Sequence, residues 1–502
     1  MKRSSGVLMH VSSLPSKFGI GTFGKEAFQF VDFLKNAGFK YWQVLPLGYT
    51  GFGDSPYQCF SAFAGNPYFI DFEDLVQEGL LTGEDYKNEF YGQSLESVDY
   101  GAIYNSKHKV LRKAYDNFKF TSNQEFKEEF WKWKFDDKHQ WWLKDFATFM
   151  ALKAENNSKS FFEWCPYDRD SNNQSHAYHD SEFSTIQDYH CFVQFLFFRQ
   201  WKKLKAYANE SGIQIIGDLP FYVSSDSADV WSNPENFSIN LESLQPTAVA
   251  GCPPDRFSET GQLWGNVTYN WDYLKDNGYD WWIERFKFSL EMFDVVRVDH
   301  FRGFESYWEV PFSEETAVNG EWKKGPANDL FDAIKQELGD INVIVEDLGT
   351  LSPGANEFIE STEFPRMKIL QYAFSGSLSN KHLPHNYTSN CVAYTGTHDN
   401  DTILGWLNDS SKQSEVANVK KYLGLNDEEG SLAGILRGLW SSKAGIAIVP
   451  MQDILGIGNE GRMNIPGSPS GNWTWRMKPD AITGGLTSKL LNLNERFGRR
   501  ND

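Results

Sequence analysis

Short apolar, often β-branched runs that end on a polar residue or proline recur along the chain, each followed by a segment whose apolar positions have helical spacing. Eight such runs stand out, at residues 6–10, 41–46, 214–220, 295–299, 343–346, 367–371, 392–395 and 446–450. Strand-then-helix alternation of this kind predicts a parallel (β/α)8 TIM barrel. Between the first two runs, Ala27, Phe30, Val31, Leu34 and Ala37 fall on one helical face before Gly38 closes the helix. The spacing between runs is uneven. A long, charged and aromatic stretch separates the second run from the third, and predicts a mainly helical subdomain inserted at about 71–200. A second insertion, about 221–279, is rich in turn residues at 251–256 and 260–266 and predicts a loop covering a site at 251–268. The whole of 1–502 is read as one catalytic barrel carrying these insertions, an α/β fold.

Composition narrows the function. With 48 basic and 67 acidic residues the formal charge of −19 repels phosphate backbones and anionic membranes, which argues against nucleic-acid and membrane partners. Five widely spaced cysteines with no C-x-x-C pair read as reduced thiols, and the apolar run after Lys2-Arg3 is broken by Ser4, Ser5 and His10, so the expected location is cytoplasmic. Aromatic residues make up 16% of the chain, including 18 Trp, many of them beside Asp, Asn or Gly; sugar rings stack on such faces, although a core position is the better reading of any single Trp.

Barrel active sites lie at the C-terminal ends of the strands. Three runs end there in acids: Val295-Val-Arg-Val-Asp299, Val343-Ile-Val-Glu346, and the strand preceding Gly396-Thr-His398-Asp399. Period-two alternation puts Arg297 and Asp299 on one face. A retaining glycosidase needs a carboxylate nucleophile and a carboxylic acid roughly 5–5.5 Å apart, a spacing that neighbouring strand ends can supply. Asp299 suits the nucleophile, since Arg297 would keep it ionised. Glu346 suits the acid/base, with an apolar strand behind it to raise its pKa. Asp399, beside His398, is left to stabilise the oxocarbenium-like charge. One acid after a strand is commonly only a helix cap or a partner for arginine; three at polar strand ends weaken that reading. His10, His300, Arg302 and Asp347 are weaker candidates, with Asp347 as support for its neighbour.

These residues lie within a dense series of motifs: His10-Val-Ser-Ser-Leu-Pro15, Gly53-Asp-Ser-Pro-Tyr-Gln58, Gly217-Asp-Leu-Pro220, Gly261-Gln-Leu-Trp-Gly-Asn266, Arg297-Val-Asp-His-Phe-Arg-Gly303, Glu346-Asp-Leu-Gly349, Thr395-Gly-Thr-His-Asp-Asn-Asp-Thr402, Arg462-Met-Asn-Ile-Pro-Gly467 and Asn472-Trp473. In this order the chain resembles the 4-alpha-glucanotransferases called amylomaltases or disproportionating enzymes, relatives of the alpha-amylases. The resemblance implies Asp299 as nucleophile, Glu346 as general acid/base and Asp399 as transition-state stabiliser. It implies that Asp218, Arg297 and His398 contact the reacting sugar or its nucleophile, and that Ser55, Tyr57, Gln262, Trp264 and Asn464 line the donor and acceptor subsites. It also implies an alpha-1,4-glucan donor and a glucose or maltooligosaccharide acceptor. No metal or organic cofactor is expected, since the calcium-site pattern of the alpha-amylases is not evident and carboxylates suffice for the chemistry. Departures from the family pattern are Phe52, where Tyr is frequent, Arg256, Val267 and Arg366, where Gly is frequent. Alpha-amylase-like hydrolysis is the nearest alternative. A metal-dependent enolising barrel is a more distant one, disfavoured by Arg297 beside Asp299 and by the lack of a strand-end lysine. A starch-binding protein without activity is disfavoured by the complete acid triad.

Overall fold

The computed structural model describes residues 2–51, 53–172, 181–254, 258–349, 351–468 and 470–501. Eight parallel strands close a barrel: β1 (Ser4–Leu8), β2 (Tyr41–Gln43), β3 (Gln214–Leu219), β4 (Val295–Val298), β5 (Val343–Val345), β6 (Arg366–Ile369), β7 (Cys391–Tyr394) and β8 (Ile446–Pro450). Each strand pairs with its neighbours in chain order, and β1 closes on β8 with Ser4 opposite Ile446 and Leu8 opposite Pro450. All eight apolar runs therefore become barrel strands, because a strand covered on both faces has to be apolar along its length.

The first strand starts at Ser4, two residues before the expected run. Its two serines are buried, and the Ser5 hydroxyl donates to Asn494 Oδ1 at 2.5 Å, so their polarity is satisfied inside the fold. The second run leaves the regular ladder at Gln43, although the Val44 amide still donates to the Ile216 carbonyl at 2.9 Å. At the N-terminal rim the buried Arg499 guanidinium donates to the carbonyls of Ser4, Trp440, Ser442, Ala444 and Gly445, tying the last residues of the chain to β1 and the approach to β8.

The helix Lys25–Asn36 buries Ala27, Phe30, Val31, Phe33 and Leu34, and Gly38 follows in the left-handed region at φ 76°. Between β2 and β3 run the helices Tyr100–Phe120, Gln124–Lys134, Asp137–Glu155 and Ser181–Glu210, the middle two capped by the side chains of Asn123 and Asp136. The turn-rich segment after β3 differs from the loop expected of it. Ala248–Cys252 pairs antiparallel with Gln262–Val267 and with Ser306–Pro311, and Glu321–Lys324 completes a four-stranded sheet. Leu263 and Gly265 are exposed while Asn266 and Val267 are buried, so one end of the hairpin is anchored and the other overhangs. Phe52 and Arg256 lie outside the described residues, as do 255 and 257 of the expected covering loop.

Candidate active site

The strand ends converge on Arg297. Its guanidinium is 3% exposed; Nη1 lies 2.6 Å from Asp218 of β3, and Nη2 lies 3.0 Å from Asp299 Oδ1 and 2.9 Å from Glu346 Oε2. One nitrogen thus binds both acids that the sequence placed on adjacent strands. Asp299 and Glu346 retain 27% and 21% side-chain exposure, whereas Asp218 has none, so the first two face the cleft and the third lies beneath them. A glycine precedes Asp218 in β3 because the ring of Phe293 leaves no room: a Cβ at 217 would stand 2.1 Å from Phe293 Cδ2.

The backbone fixes the pair further. The Asp299 amide donates to the Leu219 carbonyl, the Glu346 amide to the Val298 carbonyl, and the Phe301 amide to the Glu346 carbonyl. His300 adopts a left-handed conformation, φ 44°, and its amide donates to Glu346 Oε2 at 3.0 Å. That contact reverses one expectation. Burial and the charge of Glu346 push the Asp299 carboxyl well above the usual range, while Arg297, a hydrogen bond with Asp299 and the His300 amide hold Glu346 down at about 2 against its own burial. Arg297 serves both acids, but only Glu346 gains a backbone donor, which favours its ionised form. The apolar strand behind Glu346 does not decide the matter.

Tyr57 completes the floor. Its hydroxyl donates to Asp218 Oδ2 at 3.0 Å, and its ring stacks on His398 with centroids 5.2 Å apart. The Ser55 hydroxyl accepts from the Tyr57 amide at 3.2 Å, so Ser55 shapes the turn that carries Tyr57. Asp399 is 42% exposed, with Asn464 Nδ2 at 2.7 Å and His398 Nε2 at 3.4 Å from its Oδ1. On the overhanging hairpin, Trp264 donates from Nε1 to Gln262 Oε1 at 3.1 Å and sets its ring edge-on to His300 at 5.2 Å. The hairpin is moored to the Tyr57 loop: Gln58 Nε2 donates to Asn266 Oδ1 at 2.8 Å, and Asn266 Nδ2 to the Val223 carbonyl at 2.7 Å. All eleven candidate residues are thereby linked around one cleft through these contacts.

A family model described as 4-alpha-glucanotransferase matches residues 9–483. The chain belongs to the 4-alpha-glucanotransferase family. It is 51% identical over 495 residues to the 4-alpha-glucanotransferase of Clostridium butyricum, covering 98% of this chain and 100% of that one. It is 45% identical over 490 residues to that of Thermus thermophilus, covering 96% of each. The solved amylomaltase of Streptococcus agalactiae superposes with a TM-score of 0.96 at 42% identity over the full length of both chains. The protein is accordingly a glycosyl-transferring enzyme acting on alpha-1,4-glucans.

Three residues of this glucanotransferase border the site without having been singled out as candidates. Trp473 is buried, holds φ 64° and packs 5.8 Å from His398 and 5.9 Å from Tyr57. Arg462 donates to the Asp399 carbonyl at 2.7 Å and to Asp401 at 2.6 Å. Tyr372, half-exposed in the turn after β6, accepts from Asn400 Nδ2 at 3.0 Å. Trp473 and Arg462 belong to motifs visible in the sequence, but they lie on irregular chain after β8, where periodicity gives no position. Among the described residues no helix is long and apolar enough to cross a membrane, and the five cysteines are free thiols.

Proposed function

We propose that the enzyme transfers an alpha-1,4-glucan segment from a donor to the 4-hydroxyl of glucose or another alpha-1,4-glucan by a retaining double displacement through a glycosyl-Asp299 intermediate. The observation that carries the reading is the single Arg297 nitrogen within 3.0 Å of both Asp299 and Glu346. Two oxygens so placed are at most roughly 6 Å apart, which accommodates the roughly 5–5.5 Å of a retaining pair and falls short of the roughly 6.5–9.5 Å that an inverting pair needs for its water.

The pair holds one proton, the number this chemistry needs. With a donor bound, Glu346 carries that proton and Asp299 is ionised. Glu346 then protonates the glycosidic oxygen as Asp299 attacks the anomeric carbon, and the fragment on the reducing-end side departs with that oxygen as a free 4-hydroxyl, its new non-reducing end. In the second half Glu346, now a carboxylate, takes the proton from the acceptor 4-hydroxyl as that oxygen displaces Asp299, restoring the α configuration. Asp399, held by Asn464 and His398, faces the positive charge that develops on the ring. Asp218, Arg297, Tyr57 and His398 form the floor against which the reacting sugar is set, while Trp264, Gln262 and Ser55 line the cleft beside it.

Hydrolysis requires only that water replace the acceptor. The mooring of the hairpin by Asn266 and Gln58 supports transfer, because an overhang fixed above the cleft limits water while a bound acceptor presents its hydroxyl at high effective concentration. The complex of the Streptococcus agalactiae relative with acarbose supports a ligand of that kind in this cleft. The same reading treats 1–502 as a single catalytic barrel in the cytoplasm, with 71–200 and 221–279 as insertions. Incubation with maltotriose alone tests it: a ladder of longer oligosaccharides with glucose release and no net gain in reducing ends is expected. Rising reducing ends without longer products would make the enzyme a hydrolase.

A further inference from the structure

The residue after Glu346 is enclosed more completely than any carboxylate facing the cleft. Asp347 has no exposed side-chain surface, and its Oδ2 receives Arg366 Nε and Nη2, each at 2.7 Å. Lys381 Nζ donates to the Asp347 backbone carbonyl at 3.1 Å and lies 3.5 Å from Oδ2. Arg366 is the first residue of β6, in register with Val345 at the end of β5, and its Nη2 also donates to Asn356 Oδ1 at 2.9 Å. The residue that follows Glu346 is thus clamped by two cations from the β6 side, Arg366 on its carboxylate and Lys381 on its carbonyl, while Glu346's own amide and carbonyl are held from the β4 side by the Val298 carbonyl and the Phe301 amide.

A clamp on both flanks of one residue restrains that residue's backbone, and a charge pair one residue away acts on its ionisation. We infer that Arg366 and Asp347 are positioning residues that set the orientation and the acidity of Glu346. The inference rests on Glu346 being the general acid/base.

Charged and titratable groups surround this pair on each packed element. Arg297, Asp299 and His300 from β4 and its turn, Asp218 from β3, Tyr372 after β6 and Tyr394 of β7 lie near Glu346. Lys368 of β6, Lys381 and His382 after it, and Cys391 of β7 lie near Asp347, and Glu360 stands 3.6 Å from Arg366. Against that fixed background the two members of the clamp exert opposite fields. Asp347→Asn removes a negative charge and eases proton loss from the catalytic pair, whereas Arg366→Gln removes a positive charge and opposes it.

The alkaline limb of the kcat/KM profile, where the pair gives up its shared proton, reads this sign directly. D347N is expected to move the limb down and R366Q to move it up, each by about 0.5–1 pH unit for a single charge in this partly buried setting. R366Q is further expected to lower kcat about tenfold with KM within about twofold, since a loosened loop misaligns Glu346 without touching the sugar. R366K should recover most of kcat and return the limb. Should R366Q fail to fold, the D347N/R366Q double variant, which removes both charges together, is expected to show the wild-type limb with reduced kcat. Limbs that stay put, or that move the same way in both single variants, would overturn the inference. Glu346→Gln on the same substrate separates the two levels. Lost transfer in E346Q with unmoved limbs in D347N and R366Q refutes the clamp alone, whereas full transfer in E346Q refutes the acid/base reading beneath it.

Discussion

Replacing Arg297 by methionine, which keeps an unbranched apolar stem and removes the charged guanidinium, is a severe perturbation of the site. The guanidinium is 3% exposed and contacts Asp218, Asp299 and Glu346 at 2.6–3.0 Å, so its loss leaves three carboxyl groups around an apolar side chain. Removing one member of a buried ion pair costs about 3–5 kcal/mol, and here the residual like charges are close enough to make the upper part of that range the expectation. The cost depends on pH. In the wild-type protein Glu346 is held at about 2, below its unfolded value, so its contribution is fully present above about pH 4.3 and is lost only as pH falls through the folded value. Asp299 is raised and works in the opposite sense, losing stability as pH rises through its folded value. Without Arg297 every member of the cluster is raised. Stability of the variant must therefore fall as pH rises above the unfolded carboxylate values, and recover toward about pH 4–5. Urea unfolding followed by tryptophan fluorescence at about pH 5 and about pH 8 measures this: the variant should sit about 3–5 kcal/mol below wild type at the higher pH and markedly closer at the lower. Transfer should drop about 10²–10³-fold or more, as for loss of a preorganised donor to reacting groups. Equal destabilisation at both pH values, or near wild-type turnover, would refute the reasoning.

Other outcomes follow from single contacts. Tyr57→Phe removes the donor to Asp218 and leaves the His398 stack, so kcat/KM should fall about tenfold with the fold intact by thermal unfolding, and an unchanged kcat/KM would show that the hydroxyl is idle. Asn266→Ala cuts the link between the hairpin and Gln58, and the ratio of reducing ends released to oligosaccharide transferred should rise severalfold; an unaltered ratio would detach the hairpin from acceptor selection. Exhaustive chelation should leave transfer unchanged, because the oxygens of Asp218, Asp299 and Glu346 that a cation would use are already bound by Arg297, and loss of activity restored by a divalent ion would favour the enolising alternative.

The barrel was legible because parallel strands covered on both sides are apolar along their whole length, and because acids placed just beyond Val298 and Val345 break that pattern at the functional rim. Period-two alternation likewise gave Arg297 and Asp299 a common face. What stayed hidden depended on partners distant in sequence. Ser4 and Ser5 fell outside the expected first run because the partner that satisfies Ser5, Asn494, lies at the opposite end of the chain. The sheet formed by residues 248–252 and 262–267 read as loop because its glycines and the adjoining Pro253-Pro254 outweigh its short apolar content, and Ser306–Pro311 supplies the missing strand. The direction of the pKa shift on Glu346, down and not up, was hidden for a similar reason. It turns on the amide of His300, whose left-handed backbone no spacing rule announces.

The identity of the attacking group is the centre of the account, and trapping the intermediate tests it. Glu346→Gln enzyme supplied with an α-maltooligosyl fluoride, whose leaving group needs no protonation, should accumulate a glycosyl adduct in the absence of acceptor. Peptide mass spectrometry should place that adduct on Asp299. An adduct on Glu346 or Asp399, or inverted product with no adduct at any acid, would contradict the mechanism.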